Sequence, residues 1–137
     1  MKNKIKLLII FVFLLSNTKA ETNQSFKFES SELEILNTSN QIKATNGVRI
    51  IDNDNSIEIT ANSSTYFRDR NILEIKGNIK FYDNDNKIEI KSDEIIYNKN
   101  IEKIRSVSFT KININNKFAL EGNDIIVFKN QKKNIFK

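Results

Sequence analysis

The chain has 137 residues, with no Cys, His, Pro or Trp and only three Gly. This length is typical of a single domain. Without Cys or His, the chain cannot form a disulfide scaffold, a thiol nucleophile, the usual zinc sites, or a Ser-His-Asp or Cys-His triad. Only carboxylates are left for catalysis, so we predict a protein that is not an enzyme and binds no metal or cofactor.

Residues 1–20 have the features of an export signal. Three lysines, at positions 2, 4 and 6, precede an unbroken apolar run from Leu7 to Leu15, and small residues stand at positions 18 and 20. This run of nine residues is too short to cross a bilayer core of about 30 Å, which needs about 20. We predict cleavage after Ala20, which leaves one mature domain over residues 21–137. The alternative is an uncleaved membrane anchor.

The formal net charge of +5 comes mostly from this leader. The chain has 22 basic and 17 acidic residues, and the leader holds four lysines and no acid. The mature domain therefore has 18 basic against 17 acidic residues, a net charge of +1. Binding to nucleic acid needs a clustered basic face, so we predict no nucleic-acid partner.

After the leader, apolar and polar residues alternate with the period of two that is typical of half-buried strands. Residues 56–61 and 87–91 show this most clearly. The pattern recurs in four pairs of apolar residues: Leu73 and Ile75, Ile79 and Phe81, Ile112 and Ile114, and Phe118 and Leu120. Clusters of Asn and Asp separate the strands, and both residues tolerate the left-handed backbone of tight turns. The pattern predicts an all-β fold.

The runs Asp52–Asn55 and Asp83–Asn86 also resemble calcium ligands. An EF-hand loop needs a Gly at its sixth position, and neither run supplies one. We therefore predict hairpin turns at both runs rather than cation sites.

The domain repeats itself about every 30 residues from residue 26 to residue 129, in four copies at offsets of 31, 31 and 30. In each copy an alternating strand ends at a small residue, which is Ser30, Ala61, Ser92 or Gly122. A large side chain would crowd a bend there, so we predict corners at which the backbone passes from one sheet to a facing sheet. A further Gly follows in the first two copies, and the third copy lacks it.

The recurring order of a strand, a small residue, polar residues, a Tyr and a strand that runs into Gly-Asn resembles the OstA-like family. The clearest segments are residues 59–66, which lead into 73–79, and residues 88–97. The resemblance is to lipopolysaccharide-transport proteins of the LptA type and covers roughly residues 26–129. It implies a periplasmic protein with an open β-jellyroll, shaped like a folded taco, whose interior holds the acyl chains of lipid A.

Two facing sheets lie about 10 Å apart, and with one side open they would enclose an apolar groove as wide as a lipid chain. Each buried CH₂ of that chain contributes about 0.8 kcal/mol, so binding needs no directional chemistry. The candidate groove residues are Ile35, Ile57, Ile59, Leu73, Ile75, Ile79, Phe81, Ile88, Ile90, Ile96, Phe109, Phe118 and Leu120. Five basic residues are candidates for the rim of the groove: Arg68, Arg70, Lys76, Lys80 and Arg105.

The first and last strands are natural sheet edges, and no Pro protects them. We predict assembly by edge-strand pairing through Phe26, Phe28, Leu33, Ile35, Ile126 and Phe128. The resemblance implies partners of the same fold among the inner-membrane and outer-membrane proteins of lipopolysaccharide transport, and stacking of copies into a homo-oligomer. Alternatively, residues 130–137 simply cover the terminal edge.

Two other functions stay open. The first is a scaffold that joins envelope partners through its edges and has a dry core. The second, weaker one is a carboxylate-only glycosidase, which needs two acids about 5–9 Å apart in a cleft, whereas the acids here alternate onto outward strand faces. A carrier has a groove open along its length, and a scaffold has large side chains meeting across its middle. The Ile-rich interior favours the carrier.

Overall fold

The computed structural model describes residues 25–129, so the predicted leader at 1–20 and the tail at 130–137 lie outside the described residues. Over that range the secondary structure consists of β-strands. The strands are β1 (Lys27–Leu36), β2 (Gln41–Asp52), β3 (Ile57–Ala61), β4 (Ser63–Phe67), β5 (Ile72–Asp83), β6 (Ile88–Asn98), β7 (Lys103–Ser106), β8 (Thr110–Ile114), β9 (Phe118–Gly122) and β10 (Ile126–Phe128). The predicted all-β fold is confirmed.

The strands form one antiparallel sheet that is folded into two facing leaves. The long strands β1, β2, β5 and β6 run through both leaves, and the short strands share the remaining places. Leaf 1 consists of residues 27–30, 48–52, 57–61, 79–83, 88–92, 110–114 and 118–122. Leaf 2 consists of residues 32–36, 41–45, 63–67, 72–76, 94–98, 103–106 and 126–128. Corresponding parts of successive repeats therefore lie side by side in each leaf.

The leaves meet along a corner where the chain crosses from one to the other. Backbone hydrogen bonds continue through it: the Asn62 N–H donates to the Gly77 carbonyl at 2.8 Å, and the Gly47 N–H donates to the Asn62 carbonyl at 2.9 Å. Register shifts mark the corner in β1 and β5. The small residues predicted to form it end the leaf 1 segments of their repeats, as expected: Ser30, Ala61, Ser92 and Gly122.

Ser108 takes the place of the Gly that the third repeat lacks. It lies 31 residues after Gly77 in the sequence. Its hydroxyl oxygen accepts hydrogen bonds from the backbone N–H groups of Asp93 at 3.2 Å and Glu94 at 3.1 Å, and it lies 2.9 Å from the Ser92 hydroxyl. In the third repeat, a side-chain oxygen therefore accepts hydrogen bonds from the backbone N–H groups at the corner, whereas a backbone carbonyl accepts the corresponding bond at Asn62.

The side chains between the leaves form a single buried cluster. On leaf 1, one inward-facing row crosses every strand segment: Phe28, Ile50, Ile59, Phe81, Ile90, Ile112 and Leu120. The facing row on leaf 2 is Ile35, Ile42, Tyr66, Leu73, Tyr97, Ile104 and Val127. The interior therefore runs across the strands, from β1 at one end to β9 and β10 at the other.

Gly77→Ala tests the corner. Gly77 and Gly47 both have left-handed backbones, with φ of +81° and +85°, where an L-residue costs about 1–2 kcal/mol. A Cβ at Gly77 would also lie 2.8 Å from Cγ and 2.9 Å from Cβ of Asn62, whereas a Cβ at Gly47 would meet nothing within 4 Å. We expect urea denaturation to show a larger loss of unfolding free energy for Gly77→Ala than for Gly47→Ala. Equal losses would contradict this account of the corner.

Candidate functional site

The middle of the interior is filled by aromatic rings. Phe26, just before β1, is 1% exposed. Its ring centroid lies 5.1 Å from that of Tyr66 and 6.0 Å from that of Tyr97, and Phe81 of leaf 1 meets Tyr97 at 5.6 Å. Each such edge-to-face pair contributes about 0.5–1.5 kcal/mol beyond its burial. We call these four residues the aromatic plug. It corrects the expectation of a groove open along its whole length.

Two lysines close the open side of the folded sheet, which we call the mouth, where turns of the two leaves face each other. Lys99, in the turn after β6, donates to Asp52 Oδ1 and to the Ser25 carbonyl, both at 3.0 Å. Lys129, after β10, lies 3.1 Å from Asp83 Oδ2. Both aspartates are fully buried, and the lysine side chains are 12% and 3% exposed. These ion pairs therefore bridge the leaves in a largely water-excluded place.

The same aspartates begin the two predicted hairpin turns, which are confirmed. Asp83 Oδ1 accepts hydrogen bonds from the backbone N–H groups of Asp85 and Asn86 at 3.1 Å. Asp52 Oδ2 accepts one from Asn55 Nδ2 at 2.8 Å. Within residues 25–129, no group of three or more acidic side chains is placed to hold a metal ion.

Tyr97 has a buried hydroxyl that has no hydrogen-bond partner among residues 25–129. Tyr66, one repeat earlier, donates its hydroxyl to Asn71 Oδ1 at 2.7 Å. Burial, reinforced by the negative charges of Asp52, Glu102 and Asp83, raises the pKa of Tyr97 well above the ordinary tyrosine value. This hydroxyl therefore stays protonated in the folded protein at all ordinary pH values.

At the β9 end of the described sheet, inward-facing apolar side chains are exposed. Ile114, Phe118 and Leu120 face the same side as buried Ile112, yet are 37%, 69% and 53% exposed. Ile114 stands where the two preceding repeats have Asp52 and Asp83, so the aspartate–lysine pairing does not recur at this turn.

At the β1 end, inward-facing apolar side chains are also uncovered. Leu33 and Ile35 lie opposite buried Ala44 and Ile42 in the β1–β2 pairing, but each is about half exposed. Over residues 25–129, the apolar inner surface is therefore exposed at both ends of the sheet and buried between them.

Most of the candidate groove residues lie on this inner surface. Eight belong to the buried cluster: Ile57, Ile59, Leu73, Ile75, Ile79, Phe81, Ile88 and Ile90. Ile35, Phe118 and Leu120 lie at its open ends. Their contact with lipid stays a prediction.

The structure places two candidate groove residues outside the interior. Ile96 faces outward, because the corner between Ser92 and Glu94 shifts the alternation and turns Ile95 and Tyr97 inward instead. Phe109 lies between β7 and β8 and is 53% exposed. It borders a hollow of about 300 Å³ that is also lined by three lysines of the outer face: Lys80, Lys91 and Lys111.

The predicted edge residues differ in their exposure and position. β1, β9 and β10 are the terminal strands of the described sheet. The exposed members of the predicted set are Leu33, Ile35, Ile126 and Phe128, and Phe28 is half-buried. Phe26 is not an edge residue, because it precedes β1 and its ring turns into the plug.

The five candidate rim residues lie in two kinds of position, and their role at a rim stays a prediction. Arg68 and Arg70 lie in a leaf 2 turn, where Arg68 donates to Asn37 Oδ1 at 3.3 Å. Lys76, Lys80 and Arg105 are exposed on outward strand positions instead. Lys99 and Lys129 were missed, although Lys99 follows Arg68 by the repeat length of 31 residues.

The fold is similar to that of a solved lipopolysaccharide-transport component. The crystal structure of LptH from Pseudomonas aeruginosa, described as the LptA-homologous periplasmic component, matches with a TM-score of 0.69 and 14% identity, over 80% of this chain and 79% of that one. Comparison with curated protein sequences gave no match. Within residues 25–129, no helix is long and apolar enough to cross a membrane. The fold class is the LptA-like β-jellyroll, as predicted.

A sequence profile of the family described as "Lipopolysaccharide-assembly, LptC-related" matches residues 9–133. This match spans nearly the whole chain, and the protein belongs to the LptC-related family. The predicted kinship with lipopolysaccharide-transport proteins of the LptA type is confirmed.

Lys129→Met tests the mouth ion pairs. It leaves the Asp83 carboxylate buried without its cation, which costs about 3–5 kcal/mol. We expect the free energy of unfolding in urea to fall by that amount, and Asp83→Asn in the same chain to restore most of it. Lys111→Met is the matched control, because its pair with Glu121 spans 3.7 Å and is more than half exposed, which predicts at most about 1 kcal/mol. Equal losses for the two lysines would contradict the account.

Tyr97→Phe tests the buried hydroxyl that finds no partner within the described range. Removing a buried polar group that has no partner relieves about 1–3 kcal/mol, so we expect a neutral or stabilising change near neutral pH. Because the folded pKa of Tyr97 is raised, its contribution is complete below the unfolded value of about 10 and is lost as pH rises above it. The stability of Tyr97→Phe should therefore fall less steeply above about pH 10 than that of the parent. Equally steep losses would contradict this.

Proposed function

We propose that this protein is a non-enzymatic lipid carrier that binds lipopolysaccharide acyl chains on its inner face and helps to move lipopolysaccharide from the inner to the outer membrane. The observation that carries the proposal is the apolar inner surface left exposed at both ends of the sheet. Membership of the LptC-related family supports the same role. In this account the chain acts in the periplasm after cleavage of its leader.

The chemistry of the open ends suits a lipid that must bind and then leave. Ile114, Phe118 and Leu120 present apolar surface without hydrogen-bond donors or acceptors in their side chains. Burying about six CH₂ groups of an acyl chain there contributes about 5 kcal/mol. Binding of this kind has no directional bond to break, so release needs only a competing apolar surface.

We further propose that copies of the fold stack end to end. In the described sheet, β1 is the terminal strand at one end and spans both leaves, and β9 with β10 form the other end. Pairing β1 of one molecule with β9 and β10 of the next would continue the inner rows, with Leu120 and Val127 leading into Phe28 and Ile35. Such a contact joins two different surfaces and stays open-ended. The inner-membrane and outer-membrane partners would use the same edges.

The aromatic plug favours one alternative function. Large side chains meeting across the middle are what a dry-cored scaffold requires, and Phe26, Phe81 and Tyr97 do meet there. As a scaffold, the protein would bridge envelope partners through its edge strands and carry no lipid.

Photo-crosslinking at the open end separates the two functions. A photoreactive phenylalanine replaces Phe118 or Leu120, which face inward, or Ala119, which lies between them on the outward face. We expect adducts with lipopolysaccharide at the first two positions, because the acyl chains bind to the inner face.

Ala119 is the matched control, since it shares the strand and the exposure of its neighbours. Adducts at positions 118 and 120 without one at 119 would support the carrier. No adduct at any position, in folded protein, would contradict the carrier and leave the scaffold.

A further inference from the structure

We propose that Lys99 and Lys129 form a site for the phosphate of an amphiphile, and that Phe26 occupies the place of its apolar chain until the amphiphile binds. The structure would then be the closed state of a gate at the mouth. This inference rests on the proposed lipid carrier and adds the residues that select an anionic lipid.

Phe26 has the features of an internal substitute for a ligand. It belongs to no strand, yet its ring is 1% exposed and sits between the leaves against Tyr66 and Tyr97. Because Ser25 and Phe26 precede β1, they can move away without unpairing any strand of the described sheet. Departure of the ring would open an apolar space at the centre of the interior, next to the Tyr97 hydroxyl, which has no hydrogen-bond partner in the described part of the chain.

Lys99 couples this ring to the mouth. Its ammonium lies 5.1 Å above the Phe26 ring, donates to the Ser25 carbonyl beside it, and lies 3.3 Å from Asp54 as well as 3.0 Å from Asp52. One cation therefore contacts both the segment that carries Phe26 and the turn that follows β2 in leaf 1. Drawing Lys99 to another anion would release both.

The aspartates keep hydrogen bonds when the lysines leave. Asp83 would retain the backbone N–H groups of Asp85 and Asn86, and Asp52 would retain the Asn55 side chain. A phosphate offers a larger negative charge and more acceptor oxygens than one carboxylate. In the open state the lysines would bind the phosphate instead of the aspartates, and the acyl chain would take the place of the Phe26 ring. One amphiphile would therefore replace both sets of contacts that hold the closed state.

A single-tryptophan reporter tests the gate. The chain has no Trp, so Phe26→Trp reports on this site alone. We expect blue-shifted emission in the free protein and a red shift on adding decyl phosphate at a concentration about tenfold or more below that needed with decyl maltoside. Inorganic phosphate alone should give no shift, because it supplies no chain to replace the ring.

Variants of the reporter identify the selecting residues. Asp52→Asn with Lys99→Gln exchanges the ion pair for a neutral one, and should reduce the preference for decyl phosphate to about twofold or less. Lys80→Gln, on the exposed outer face, should leave the preference unchanged. Circular dichroism verifies that each variant is folded. If Trp does not fit at position 26, Phe26→Tyr takes its place, and binding of the amphiphile is measured by photo-crosslinking from position 59.

The outcomes separate the gate from the carrier. Equal potency of the two amphiphiles, or a shift with inorganic phosphate alone, would overturn the phosphate site. No shift with either amphiphile would overturn the gate, and lipopolysaccharide adducts at Phe118 would then show that the carrier stands without it. A selective shift without those adducts would support the gate and contradict the carrier.

Discussion

The fold depends on one constraint: each long strand must turn from one leaf to the other at the same level of the stack. Left-handed Gly77 and the small residues Ala61 and Ser92 permit that turn, and backbone hydrogen bonds through Asn62 keep the strands paired across it. Because the corners align, the inward-facing rows of successive repeats align as well. A single corner out of register would reverse the alternation of its strand and turn apolar side chains to solvent.

Stability and proposed function place opposite demands on the interior. A dry, filled core stabilises a domain that has no disulfide, whereas a carrier needs apolar surface that a ligand can reach. The structure meets the two demands in different places along the interior, which runs from β1 to β9 and β10. The plug and the pairs Asp52–Lys99 and Asp83–Lys129 close the middle, and Ile114 with Phe118 leaves the β9 end uncovered. Buried ion pairs suit a closure that must open, because their two charges become soluble again once water is admitted.

Local pattern predicted most of the fold. Period-two alternation located Ile57, Ile59, Ile88 and Ile90 on the inner face, and the small residue of each repeat located the corners. The alternation failed at Ile96, because a corner inserts residues and shifts the parity of the strand. It also failed at Phe26, because a residue outside any strand carries no periodic signal. Lys99 and Lys129 were missed because ion pairs between residues 47 or 46 positions apart depend on how the leaves face each other, which no local pattern encodes.

The central claim is that acyl chains lie between the leaves, and methyl NMR tests it most directly. Isoleucines stand on both faces, so one labelled sample contains its own control. With ¹³C-methyl isoleucine protein and lipopolysaccharide, the account predicts nuclear Overhauser effects from acyl protons to the inward methyls of Ile112 and Ile114, and none to those of outward Ile51 and Ile96. Contacts confined to the outward methyls, or spread equally over both faces, would contradict it.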